Sequence, residues 1–297
     1  MSKRESILRQ NLVISKLKRT PLNFQGIMDF LEREEEISGD RYTFSQRTFQ
    51  RDIQEIKEIY EIEISFDRSA GVYRVVSDGM ETQNERALES FEIFNALQRS
   101  KSVSGKFILE KRKPLGTEHF HGLLHAINNH FEVIFNYEKF YDDDSKIRTV
   151  RPVAIKEARN RWYLLAEESG TVKSFGLDRI KNLQITQNKF EPLDNYNPEE
   201  DYKHSFGIIN AVEKKPQKIL LSFTPQQAKF IHSLPLHHSQ QLIFENEKEC
   251  HFEFYLYPTY DFIMEILSYG EAVKVMEPKS LQKEVKRKLE KALERYK

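Results

Sequence analysis

Arg148-Thr149-Val150-Arg151-Pro152, Trp162-Tyr163-Leu164-Leu165-Ala166 and Lys173-Ser174-Phe175-Gly176-Leu177-Asp178-Arg179-Ile180 follow one another near the middle of a 297-residue chain. Each is a short run rich in β-branched or aromatic residues and reads as a strand. Just upstream, Phe131, Val133, Phe135 and Tyr137 alternate with other residues at the period of a strand. Several short strands in succession predict a small barrel. Between the first two of them, Asp142-Asp143-Asp144-Ser145 reads as a solvated turn. Adjacent loop carboxylates do not converge on one ion without a frame such as the EF-hand, whose pattern is absent. Along the central run, Trp162, Leu164 and Ala166 share one face and Tyr163 and Leu165 the other, so a Trp-faced core leaves Tyr163 on the opposite surface.

Working outward toward the N-terminus, Ile7, Leu8, Leu12, Ile14 and Leu17 recur near helical spacing, and Leu22, Phe24, Ile27, Phe30 and Leu31 do so after Thr20-Pro21. The polar stretch from Glu32 to Tyr42 reads as an insert. Thr43 then caps a third helix on which Phe49, Ile53, Ile56 and Ile59 form the apolar stripe. Ile62 to Phe66, a turn at 67–71, and Val72 to Val76 read as a hairpin, and three helices with a hairpin predict a winged helix-turn-helix. Ser45, Gln46, Arg47, Thr48, Gln50 and Arg51 lie at or near the start of the third helix. These residue types reach base edges and phosphates from a major groove. Lys3, Arg4, Arg9, Lys16, Lys18 and Arg19 would add phosphate contacts. The formal net charge is zero, with 46 basic and 46 acidic residues, so any DNA contact must come from local patches.

Between these halves, Ala87, Leu88, Phe91, Phe94 and Leu97 predict a helical linker. Toward the C-terminus, Lys218 to Phe223 and Cys250 to Leu256 read as strands, and residues 224–233 and 261–267 as helices, giving an α+β extension. Leu281, Val285, Leu289, Ala292 and Tyr296 mark a terminal helix. The single cysteine, Cys250, shares a strand face with Phe252, Phe254 and Leu256 and reads as a core residue. His121 and His125 have the spacing of a zinc pair, but Gly122 stands where a metalloprotease motif needs its glutamate, so no metal is expected.

Two resemblances sharpen this reading. Ser45, Arg47, Thr48, Arg51, Asp52 and Ile53 fall at the places of the recognition helix in DeoR-like and YafY-like regulators. Over residues 130–187, the Trp-Tyr-Leu triplet at 162–164 is flanked upstream by Arg-x-Val-x-Pro at 148–152 and downstream by Phe-x-Leu-Asp-Arg-Ile at 175–180. That combination resembles a WYL domain, and the stretch 266–278 with the helix after it resembles the extension often attached to one. The resemblance implies an Sm-like, SH3-type β-barrel that senses nucleic-acid fragments or nucleotides. On that footing Tyr137, Arg148, Tyr163 and Arg179 are the ligand residues, offering aromatic stacking and phosphate-pairing guanidinium groups.

The expected architecture is multidomain α+β: a winged helix-turn-helix over 1–78, a helical linker over 79–116, a WYL domain over 117–195 and the α+β extension over 196–297. The expected function is a ligand-responsive transcriptional regulator. It would bind a double-stranded DNA operator as a homodimer, with a single-stranded nucleic acid or a nucleotide as ligand. The alternative is an RNA-binding or defence-associated accessory protein acting through the barrel. Phosphate-binding glycine loops, nucleophile elbows and zinc motifs are absent, so neither enzymatic activity nor a cofactor is expected. With apolar runs only of strand length and a charged start lacking an apolar core, the chain is expected in the cytoplasm, off the membrane.

Overall fold

The computed structural model describes residues 3–39, 41–42, 44–60, 62–76, 93, 115–140, 145–193, 196–211 and 213–297. The chain divides into two compact units, Met1–Lys111 and Arg112–Lys297. The linker helix expected at 83–98 lies outside the described residues except for Ile93, as do Thr43 and the aspartates 142–144.

The first unit is built from α1 (Lys3–Arg19), α2 (Phe24–Ser38), α3 (Gln46–Tyr60) and an antiparallel hairpin of β1 (Glu63–Asp67) and β2 (Val72–Val76). Local chemistry sets the ends. Asn23 caps α2 by accepting the N–H of Gly26 at 2.8 Å. Gly39 ends it in the left-handed region at φ 73°. The segment read as an insert is therefore helix as far as Ser38. Its glutamates are good helix formers, and a solvated helix face requires no apolar period. Ser45 opens α3, its Oγ accepting the N–H of Thr48 at 3.3 Å.

Val13, Ile14, Leu17, Ile27, Leu31, Tyr42, Phe49 and Ile56 pack into one core with Ile62, Ile64 and Tyr73 of the hairpin segment. Arg9 departs from the expectation that it meets phosphate. It is fully buried, and its guanidinium donates to both carboxylate oxygens of Asp52 at 2.7 and 3.0 Å, pinning α1 to α3. An arginine on α1 one turn before Val13 faces α3, and the buried charge is tolerated because its partner is buried with it.

In the second unit, a 3-10 turn (Thr117–His119) and α4 (Phe120–Asn129) precede β3 (Phe131–Tyr137), β4 (Lys146–Ala158), β5 (Arg161–Glu168) and β6 (Thr171–Gly176). A 3-10 turn (Leu177–Arg179) then leads into β7 (Ile180–Lys189). The sheet is antiparallel in the order β6-β5-β4-β3-β7. β4 is long because it serves two partners: Lys146–Val150 pair with β3 and Arg151–Ala158 with β5. Pro152, which cannot donate to a ladder, sits at the register shift next to that change of partner.

The sheet is open. The turn Leu177–Arg179 carries the chain from the β6 edge to the far side of β3, so β6 and β7 are opposite edges, where a closed barrel would pair them. Leu123 and Ala126 of α4 cover a core of Val133, Phe135, Val150, Leu164, Ala166, Phe175 and Leu177. Trp162 packs at its margin, edge-on to Phe120 at 4.9 Å. The opposite face is not bare: Leu165 is buried too, and Tyr163 is half-buried.

The remaining elements are α5 (Pro198–Tyr202), β8 (Gln217–Phe223), α6 (Pro225–Ser233), β9 (Gln241–Glu245) and β10 (Cys250–Leu256), then α7 (Tyr260–Ser268), β11 (Val273–Glu277) and α8 (Lys279–Glu294). The strands form an antiparallel sheet in the order β11-β8-β10-β9. Its core unites Ile219, Leu221, Phe223, Phe252 and Phe254 with Phe262, Ile266, Leu281 and Val285 of the helices. Cys250 is buried there, which pushes its thiol acidity down by raising the pKa. No described helix is long and apolar enough to cross a membrane.

Candidate functional site

Arg179, at the end of the turn between β6 and β7, lies with its guanidinium carbon 4.9 Å from the ring centre of Tyr137 and 4.5 Å from that of Phe140. Tyr137 ends β3 and Phe140 follows three residues later, so one strand end supplies both rings. The approach depends on Gly176. A Cβ there would stand 2.9 Å from Nη2 and 3.0 Å from Nε of Arg179, which gives the glycine before Leu-Asp-Arg its reason. The backbone N–H of Gly176 also donates to the Tyr137 hydroxyl at 3.0 Å, fixing the ring beneath the guanidinium.

Tyr163 faces Gly176 across the β5–β6 ladder. Beside it, Arg161 pairs with Asp178 at 3.0 Å and places its guanidinium 5.7 Å from the centre of Phe140. Burial pushes the pKa of Tyr163 and of Tyr137 up in spite of the nearby arginines, so both hydroxyls stay protonated. Among the described residues Arg179 has no ion pair, and its buried Nε has no hydrogen-bond partner. The result is a guanidinium lying over two rings, which take none of its hydrogen-bond donors.

The structure brings Tyr137, Tyr163 and Arg179 together but not Arg148. Arg148 Nη1 donates to both oxygens of Glu168 at 3.0 and 3.2 Å, and Lys173 meets the same carboxylate at 2.6 Å. Burial works to raise Glu168, but the hydrogen bonds from Lys173 and Arg148 outweigh it and hold the carboxyl below its usual range. Glu168 is five residues from Tyr163 on β5, about 17 Å along the strand and on the other face. A shallow cavity of about 350 Å³ at that end is lined by Glu132, Glu167 and Glu168 together with Arg151, which pairs with Glu132 and Glu167 at 3.4 Å each, so its cation is already spent on carboxylates. Sequence reasoning missed Phe140 and Asp178 as members of the site. Phe140 lies beyond the strand alternation, and only the pairing of β3 with β7 shows that it reaches Arg179.

In the first unit, Gln46, Arg47, Gln50 and Arg51 are exposed at the start of α3, while Phe49, Asp52 and Ile56 face inward. Ser45 is the cap, and its hydroxyl pairs with that of Thr48 at 3.0 Å. Gln50 donates to the Tyr73 hydroxyl at 3.2 Å, and Arg51 reaches Glu55 at 3.5 Å one turn on. Such an exposed pair is weak and exchanges readily for phosphate.

Residues 118–185 match the WYL domain family and residues 215–293 match the WCX domain family. No curated protein matches the chain. Among solved structures, the proteasome accessory factor B/C (PafBC) of Arthrobacter aurescens is 17% identical, with a TM-score of 0.36, over 97% of this chain and 46% of that one. This chain therefore spans about half the length of that protein. A CRISPR Cas-related protein is 12% identical, with a TM-score of 0.39, over 98% of this chain and 92% of that one.

Proposed function

We propose, on the premise that the chain carries a WYL domain followed by a WCX domain, that it is a DNA-binding transcriptional regulator responsive to a nucleotide or short single-stranded nucleic acid. The observation that carries the ligand class is Arg179, lying over Tyr137 and Phe140 with no carboxylate on it among the described residues. A phosphate would take the free edge of that guanidinium, and a base would stack on exposed Phe140. Arg161 joins as a second phosphate-binding group once Asp178 is displaced, and Tyr163 borders the same surface. The long β4, shared between two partners, supports reading the five-stranded sheet as an opened SH3-type barrel.

The first unit is read as a winged helix-turn-helix, with α3 in the major groove, β1–β2 as the wing, and Gln46, Arg47, Gln50 and Arg51 toward the bases and phosphates. Ser45 and Thr48 orient the helix start rather than read sequence. Arg9 and Asp52 hold α3 in place from behind. A cytoplasmic homodimer would set two such helices on paired half-sites.

The test is a fluorescence titration of labelled short single-stranded DNA, RNA and mononucleotides with the full-length chain, beside Arg179→Ala and Arg148→Ala. Binding of one class that Arg179→Ala abolishes and Arg148→Ala keeps supports the site. Equal binding by wild type and Arg179→Ala removes it.

A further inference from the structure

We infer that Lys156 of β4 is a second phosphate subsite, and that the ligand is an oligonucleotide carrying a phosphate on each side of a base, an inference that rests on the nucleic-acid reading of the Arg179 site. The placement follows from register. Lys156 pairs with Tyr163, and Tyr163 with Gly176, so the three residues stand side by side across β4, β5 and β6. Their neighbours Ile155, Leu164 and Phe175 turn toward the core, which puts Lys156, Tyr163 and Gly176 on the opposite face. Gly176 has no side chain, and the Arg179 guanidinium takes that space: a Cβ would stand 2.9 Å from its Nη2. One row therefore holds a guanidinium, an aromatic ring and an ammonium. Two strand spacings, about 10 Å, separate the backbones at its ends. Phe140, 4.5 Å from the guanidinium, adds a second ring at the Arg179 end. Bases and phosphates alternate in the same way along a nucleic-acid strand.

Lys156 differs from other cations of this region in having no acid. Among the described residues no carboxylate pairs with it. Arg159, by contrast, meets Glu265 at 2.8 Å, Arg161 meets Asp178 at 3.0 Å and Lys203 meets Glu200 at 3.2 Å. The Lys156 ammonium lies 5.0 Å from the centre of the Tyr202 ring, at the end of α5, and a ring takes none of its three donors. Lys156 is half-buried, and burial with no acid to oppose it pushes its pKa down. Withdrawing an ammonium from water is unfavourable, and a bound anion would offset that. His237, which feels the Lys156 charge from the turn between α6 and β9, adds no negative charge. Asp178 and Asp261 are the acids felt by Tyr163. The first is paired with Arg161, and the second accepts the N–H groups of Ile208 and Ile209 at 2.9 and 3.1 Å. A mononucleotide on Arg179 leaves the Lys156 end of the row empty; a strand with a further phosphate fills it.

The experiment titrates the full-length chain with adenosine probes in the ribo and deoxy series: AMP, with one phosphate; ApA, with one phosphate between two bases; and pApAp, phosphorylated at both ends so that it can lie in either direction. Wild type is expected to bind pApAp about tenfold or more tighter than ApA, the gain from one further charge-assisted hydrogen bond. In Lys156→Met, which keeps a side chain of similar length and loses the charge, that gain should vanish while ApA binds as before. Lys156→Arg should keep most of the gain. Lys189→Met, which removes the same charge from the exposed end of β7, should keep all of it. A gain that survives in Lys156→Met, or that Lys189→Met abolishes as fully, would overturn the second subsite and leave the Arg179 site standing. Equal affinity of the wild type for ApA and pApAp would overturn it without any variant. Failure of every probe on the wild type would instead remove the nucleic-acid reading of the Arg179 site, and this subsite with it.

Discussion

At one end of β5 an arginine lies over two aromatic rings with no ion pair among the described residues; at the other end an arginine is consumed by a carboxylate that also binds a lysine. The two guanidinium groups have the same charge and the same reach. What differs is how each is held. Rings near the Arg179 guanidinium spend none of its donors, whereas Glu168 spends the Nη1 donors of Arg148. A third arginine, Arg9, shows the limit of the second case, since it and Asp52 are buried together and only the fold benefits. Positive charge in a sequence therefore stays open to an anion only where the fold withholds the carboxylate.

Each of these settings can be broken separately. The largest effect belongs to Arg9 and Asp52. Replacing either one with alanine leaves an unpartnered buried charge and should cost about 3–5 kcal/mol, read in urea unfolding of the N-terminal unit within the full chain. Arg9→Met with Asp52→Leu should recover most of that loss, and a double variant as unstable as the singles would deny the pair its role. Next comes Arg179→Ala, which should weaken oligonucleotide binding about 10- to 150-fold, the worth of a charged hydrogen bond of roughly 1.5–3 kcal/mol. Arg148→Ala should change that binding by less than about twofold. Reversal of the order between these two would mean that the acidic end of β5 is the site.

A subtler variant is Gly176→Ala. Its Cβ would meet the mobile ends of Asp178 and Arg179, so the fold should survive with its melting temperature nearly unchanged. The guanidinium would be pushed off Tyr137, and binding should fall several-fold. Unchanged binding would show that the position of Arg179 over the ring is not needed.

Much of the fold was legible because apolar period and capping chemistry agree. Phe49, Ile53 and Ile56 declare α3, and Thr224-Pro225 declare α6. β9 was not legible, since all of Gln241–Glu245 are exposed and an edge strand without a buried face has no alternation to read. Barrel closure was misjudged because strand runs say nothing of which edges pair, and here β7 takes its bonds from β3. Of the residues named from spacing and resemblance, Tyr137, Tyr163 and Arg179 lie together in the structure. Arg148 could not be excluded in that way, since its tie to Glu168 exists only once β4, β5 and β6 are side by side. Arg9 was misread for a related reason: a helix of low apolar contrast does not reveal that one of its arginines points inward.

The central claim joins the two units through a ligand, and one measurement addresses it directly. A duplex selected from a random library by the full-length chain would be titrated by fluorescence anisotropy with and without a saturating amount of the single-stranded oligonucleotide that binds the Arg179 site. The account predicts a change in duplex affinity of about fivefold or more, absent in Arg179→Ala, with all duplex binding lost in Arg47→Ala/Arg51→Ala. Duplex affinity that stays the same with the oligonucleotide bound would contradict it.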